Sequence, residues 1–298
     1  MESGILLLDK PEGPSSAYVV RKVKAILGAR KVGHLGTLDP FASGLLPLGI
    51  NEGTKIAEFF LAARKSYSGV IRLGIETDTQ DSTGKTVRVC AVPSLGETEI
   101  ISLQRAFTGT LKQTPPMFSA LKRSGVRLYE LARQGRTVPR SAREITIEQL
   151  QIWRLDSTEL RFEVTCSKGT YIRTLAADMG SFLGCGAHLK GLRRLSCGHL
   201  ALDQAISLSE IEASKARMGK VPLLSLNEAL PHLRALRLPS VLFSRLRMGQ
   251  QNILAGVGAP ECKEEIVRLV DDDGQLAALA QWAVGTAGGT WRLLRVFG

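Results

Sequence analysis

Lys31-Val32-Gly33-His34-Leu35-Gly36-Thr37-Leu38-Asp39-Pro40-Phe41-Ala42-Ser43-Gly44 places one acid in a cationic neighbourhood. Asp39 is the only Asp or Glu between Glu12 and Glu52, an interval that also holds Arg21, Lys22, Lys24, Arg30 and Lys31. Glycines 33, 36 and 44 open backbone shapes closed to other residues, and Pro40 keeps Asp39 out of the helical region. A rigid Gly-rich loop would thus aim one carboxylate at a polyanion. The same residues would equally make a plain Asp-Pro turn, the carboxylate bonded to nearby backbone N–H groups.

Working outward, Ile5 to Leu8 reads as a buried strand, and Ser15 or Ser16 caps a helix through Val19, Val23 and Leu27 that ends at Gly28. Helix is expected over 54–63, strand over 66–75 and helix over 100–107. Strands follow over 145–155 and 160–165, a helix over 171–183, a strand near 189–195, and helical pieces around 209–214 and 222–230. The tail has a helix near 240–248 and a hairpin of 266–270 and 276–282 about the turn Asp271-Asp272-Asp273-Gly274, then a last strand over 290–297. This gives an α/β (α+β) chain in two parts, 1–230 and 231–298, the second small and mainly β.

Charge is uneven. The 298 residues carry a net +11 at a pI near 9.7, which favours nucleic acid first and anionic membrane second. Within 105–143, nine Lys and Arg face Glu130 alone, with Phe107, Phe118 and Tyr129 interleaved and Pro and Gly as punctuation. Lys122, Arg123, Arg127 and Arg133 lie in this stretch, which fits a mobile arm on a phosphate backbone; a charge run is otherwise a solvated face. The 231–298 tail is nearly balanced, eight cations to six acids.

Other classes lack their signatures. Gly44 to Gly49 has P-loop spacing but is followed by Ile50-Asn51, and neither Gly184-Cys185-Gly186 nor Gly256-Val257-Gly258 gains a third glycine. The four histidines lack metal-binding spacing, so no metal and no cofactor is expected. Five widely spaced cysteines without C-x-x-C read as reduced thiols of a cytoplasmic protein. No apolar run approaches the roughly 20 residues of a transmembrane helix. Chemistry would fall to side chains alone. Lys65-Ser66-Tyr67 opens one strand, and Gly169-Thr170-Tyr171-Ile172-Arg173 leads into a helix whose first turn favours an anion.

Taken together, Gly33 to Pro40, Gly169 to Arg173, the run Gln113-Thr114-Pro115-Pro116-Met117-Phe118-Ser119-Ala120-Leu121-Lys122 and His188-Leu189-Lys190-Gly191-Leu192-Arg193-Arg194 resemble the motifs of the TruB-type bacterial tRNA pseudouridine synthases. They stand in order and span roughly residues 4–200; the tail is similar to a PUA-type RNA-binding domain. Leu35 departs from the pattern, where the family commonly has a small residue.

The resemblance implies a pseudouridine synthase fold, with a mixed, largely antiparallel sheet. It implies a cofactor-free isomerase that flips a uridine from the T-loop of tRNA, conventional position 55, and converts it to pseudouridine. Asp39 would be the nucleophile at C1′, or assist elimination of the base, with Arg173 pairing with it. Tyr67 would stack on the base and its phenol would also move a proton, although an unperturbed pKa near 10 makes a poor base at neutral pH; Tyr171 would lie beside the sugar or base, with Leu192 as an apolar wall. His34 would fill the space the base vacates or brace its loop, Lys55 would hold phosphate, and Asp81 would be structural. The partner would be the tRNA T-stem-loop, met by a monomer. A non-catalytic RNA-binding protein on the same scaffold is the alternative; it explains the charge but not the set Asp39, Tyr67, Tyr171 and Arg173.

Overall fold

A computed structural model describes residues 2–123, 125–248, 250–285 and 288–298. Strand β1 (Gly4–Lys10) turns at Gly13 into helix α1 (Ser16–Leu27). The Ser15 hydroxyl accepts from the Tyr18 N–H, and Gly28 closes the helix at φ 63°. Next come β2 (Val32–His34) and β3 (Ser43–Ile50), a 3₁₀ turn over Asn51–Ile56, α2 (Ala57–Ala62), β4 (Lys65–Leu73) and the small hairpin β5 (Ile75–Thr77) and β6 (Thr86–Val89). Helix α3 (Glu97–Ala106) leads to β7 (Gly109–Gln113). The basic arm then forms a hairpin of β8 (Lys122–Arg123) and β9 (Val126–Arg127) followed by α4 (Leu128–Arg133).

Long strands β10 (Arg143–Arg154) and β11 (Glu159–Cys166) precede α5 (Ile172–Phe182), β12 (Ala187–Cys197), β13 (Leu200–Ala201) and α6 (Leu208–Met218). The tail supplies β14 (Arg234–Arg237), α7 (Ser240–Arg247), β15 (Ile266–Val270), β16 (Leu276–Gly285) and β17 (Gly288–Val296). Residues 222–230, expected to be helical, instead make turns; Leu224 bridges Ile5 of β1 in both directions, so its backbone groups are taken by the sheet edge.

The main sheet runs β1-β3-β12-β4-β11-β10-β7, antiparallel except where β12 meets β3. Its apolar face closes over α1, α3 and α5, with Leu8, Val19, Ile71, Phe162 and Leu175 in one core. A separate sheet, β14-β15-β16-β17, forms the tail. The two parts share an apolar seam: Ile5, Leu45, Phe60 and Leu200 pack with Val270, Leu279 and Phe297. Leu35 is 1% exposed in that cluster, so the larger side chain here fills the seam.

Candidate active site

The loop of residues 35–42 is pinned from three sides. Ser16, at the start of α1, donates from its hydroxyl to the Leu38 carbonyl at 2.7 Å and accepts from the Leu38 N–H at 2.9 Å. Lys10, wholly buried at the end of β1, donates to the carbonyls of Pro11, Pro40 and Ala42. Arg194 of β12 donates to the carbonyls of Gly36, Thr37 and Leu45. Gly44, where the loop enters β3, has φ +99°, and a Cβ there would stand 2.4 Å from the Arg194 carbonyl oxygen. Only glycine satisfies both demands.

Asp39 is therefore presented by a fixed backbone, its side chain partly open to solvent. Arg173, on the first turn of α5, donates from Nε to Asp39 Oδ2 at 2.8 Å and is itself buried. Its other nitrogens donate to the carbonyls of Thr79 (3.0 Å) and Phe118 (2.8 Å). One guanidinium thus joins the Asp39 loop, the turn after β5 and the root of the basic arm. Such charge-assisted bonds are short and orient their partners. Behind Arg173 lies Asp81, buried, with Oδ1 taking bonds from the hydroxyls of Thr79 and Thr83 and the Thr83 N–H.

Tyr171 is the residue that begins α5. Gln113 of β7 clamps its backbone in both directions, accepting from its N–H at 2.8 Å and donating to its carbonyl at 3.1 Å. Burial raises the Tyr171 phenol, and the Asp39 carboxylate adds to the rise against Ser119, Arg143 and Arg173. Tyr67, near the start of β4, stands opposite Arg194. Burial pushes its phenol up to about 12, with the Arg194 charge opposing most strongly. Leu192, two residues before Arg194 on β12, shares the core with Tyr67. His34 lies on β2, its pKa lowered by burial and then by Arg194, and its Nδ1 is buried without a hydrogen-bond partner among the described residues. No loop-bracing bond from that nitrogen is present there.

The remaining expected residues sit elsewhere. Lys122, Arg127 and Arg133 are exposed on the arm, where Arg127 and Arg133 flank the Tyr129 ring at 5.8 and 5.5 Å; the Arg123 side chain lies outside the described residues. Lys55 pairs with Glu52, donates to the Val296 carbonyl at 2.8 Å and covers the Phe297 ring. Its ammonium is thus engaged at the seam between the two sheets.

Lys10 and Arg194 were not singled out from sequence, though a signal existed. Strand alternation puts Lys10 on the face of Leu6 and Leu8, and Arg194 on that of Leu192. Both cations therefore had to point where apolar residues point, which demands buried acceptors.

These features coincide with comparisons to known proteins. Residues 24–172 match the TruB family pseudouridylate synthase N-terminal domain, and residues 173–235 the tRNA pseudouridylate synthase B C-terminal domain. The chain is 43% identical to the tRNA pseudouridine synthase B of Geobacter sulfurreducens over 99% of both chains. It is 43% identical to that of Syntrophobacter fumaroxidans over 99% of this chain and 97% of the other. The solved Cbf5-Nop10-Gar1 complex contains a chain that superposes with a TM-score of 0.76 at 25% identity, covering 99% of this chain and 85% of that one. The fold and site define a pseudouridine synthase. The chain belongs to the TruB family of these isomerases.

Proposed function

We propose that the protein isomerises a uridine in the T-loop of tRNA, at conventional position 55, to pseudouridine. The observation that carries this is the Asp39–Arg173 pair, fixed at 2.8 Å, with the Tyr171 phenol in the field of both charges, in a basic chain. Relatives named for tRNA pseudouridine synthesis align over nearly the full length.

The target base leaves its stack at a cost of about a few kcal/mol. Tyr67 offers a ring face, which holds a base while leaving it free to turn. Burial pushes its phenol up to about 12, so in the free protein it holds its proton at neutral pH. Asp39 acts as nucleophile at C1′ as the C1′–N1 bond breaks. The uracil rotates, C5 joins C1′ as the Asp39–C1′ bond breaks, the C5 proton passes to water and N1 takes one from water, so the substrate keeps its composition and oxidation level. Arg173 holds the carboxylate in line throughout. Tyr171 and Leu192 enclose the sugar and base, and neutral His34 lines the space the base leaves.

Lys122, Arg123, Arg127 and Arg133 grip the RNA backbone from the arm. Residues 1–230 form the catalytic unit, and 231–298 a PUA-like RNA-binding appendage. The protein works as a cytoplasmic monomer. No helix among the described residues is long and apolar enough to span a membrane.

The test is conversion of a T-stem-loop RNA by wild type and by Asp39→Asn. Wild type forms pseudouridine, whereas the variant binds the RNA but loses turnover. Wild-type binding without isomerisation would leave a non-catalytic RNA-binding protein.

A further inference from the structure

Arg194 is 1% exposed, yet none of its three acceptors is a carboxylate. A buried cation held by carbonyls, with the Tyr67 phenol as a further hydrogen-bond partner, is expensive unless the surroundings are built for it. Here they are. Nε donates to the Leu45 carbonyl at 2.7 Å, Nη1 to Thr37 at 3.2 Å and Nη2 to Gly36 at 3.0 Å. These acceptors bracket Asp39 on both sides in sequence. In β12, Arg194 lies between the start of β3, where it registers with Gly44, and the start of β4, where it registers with Tyr67. One planar fork thus fastens the Asp39 loop to the strand beside Tyr67.

We propose that Arg194 is a positioning residue of the isomerisation, holding the Asp39 loop at a fixed distance from Tyr67 while the uracil detaches, turns and reattaches. The inference rests on the reading of Asp39 and Tyr67 given above. The C1′–N1 bond breaks and the C1′–C5 bond then forms, so the carboxylate must stay in register while the base moves. Ser16, Lys10, Gly13 and Arg173 hold the loop at Leu38, Asp39, Pro40 and Ala42. Without Arg194, the carbonyls of residues 36, 37 and 45 lose their donors. The charge also reaches the site: it lowers His34 and Lys10, in each case after burial, and opposes the rise of Tyr67. Lysine would keep that charge but cannot span three divergent carbonyls with a planar fork.

Arg194→Lys and Arg194→Gln separate the two contributions. Thermal melting establishes that each variant is folded, and filter binding of T-stem-loop RNA establishes that the docking surface is intact. In single-turnover reactions at saturating enzyme, Arg194→Lys is expected to slow isomerisation on the order of 10²-fold, with RNA affinity within about threefold of wild type, the penalty of a small misplacement of a reacting group. Hydrogen exchange should quicken at the amides of residues 35–45 and not across β10 and β11. In Arg194→Gln the His34 imidazole, followed by NMR, should titrate at higher pH than in wild type, while in Arg194→Lys it should stay near the wild-type value.

A folded Arg194→Lys protein that turns over at the wild-type rate overturns the proposal. So does a rate loss matched by equal loss of RNA affinity, or unchanged exchange at residues 35–45. If wild type itself makes no pseudouridine, the functional reading fails instead; the exchange and His34 measurements then still decide whether Arg194 anchors the loop.

Discussion

The Asp81 carboxylate stands 3.8 Å from Arg173 Nε, behind the ion pair that Arg173 makes with Asp39. Both Asp81 and Arg173 are buried, so their attraction is weakly screened, and the guanidinium is held between two acids. This gives Asp81 a part in the site beyond bracing its own turn.

Asp81→Asn tests that part. Asparagine retains an oxygen to accept from Thr79 and Thr83, so the turn should survive. What is lost is the charge facing Arg173. Loss of a charged partner costs about 1.5–3 kcal/mol; the long separation favours the lower end, roughly a tenfold slower reaction. Single-turnover kinetics with RNA affinity unchanged would bear this out, and a wild-type rate would return Asp81 to a purely structural role.

Lys10 supplies a pH dependence. Burial lowers its pKa to about 8, with Asp39 and Glu12 opposing and Arg194 adding to the fall. As pH rises through about 8, the ammonium loses its charge and one of the donors it gives to Pro11, Pro40 and Ala42. The isomerisation rate should decline there, and Lys10→Arg, which stays protonated, should remove that limb. The stability sign is opposite. Between about 8 and 10.5 the unfolded chain binds more protons at this lysine than the folded one, so its contribution to stability rises with pH. A rate that falls without a falling melting temperature therefore identifies the loop and not unfolding; a flat rate profile across this window would count against it.

Gly44→Ala should be costly out of proportion to its size. The residue sits at φ +99°, and the added methyl would meet the Arg194 backbone at 2.4 Å. A loss of more than about 1 kcal/mol of stability is expected from the backbone alone. Thermal denaturation measures it, and Gly33→Ala is the control, because a Cβ there meets only the Thr54 methyl at 3.5 Å. Equal melting temperatures for the two variants would contradict the account.

Much of this architecture is legible in the amino-acid sequence. The α1 helix begins and ends at the caps its sequence announces, Ser15 and Gly28, and β4, α5, β12 and the tail hairpin lie where periodicity puts them. Strand β3 was not foreseen. It is buried along its whole length, but Gly44, Pro47 and Gly49 are residues of low strand propensity that mask its pattern. Pro47 is tolerated because its missing donor falls between two neighbours: β12 registers with residues 43 and 44, and β2 with residues 48 to 50. The acidic partner of Arg173 was inferable from charge, whereas its carbonyl partners Thr79 and Phe118 were not. Any residue can supply a carbonyl, so the side-chain code carries no trace of it.

The arm and the seam make contrasting predictions for salt. Arg127 and Arg133 are exposed and stack about Tyr129, so their charge is open to phosphate. Replacing both with Gln should weaken binding of a T-stem-loop RNA and flatten the slope of log affinity against log salt by about 0.7–0.9 for each phosphate that is no longer neutralised. Lys55 is already engaged by Glu52, Val296 and Phe297. Lys55→Ala should leave that slope unchanged and lower stability by under about 1 kcal/mol, as for a partly exposed pair. An unchanged slope in the Arg127/Arg133 variant would move the phosphate grip away from the arm, and a flattened one in Lys55→Ala would mean that RNA binding draws Lys55 off the seam.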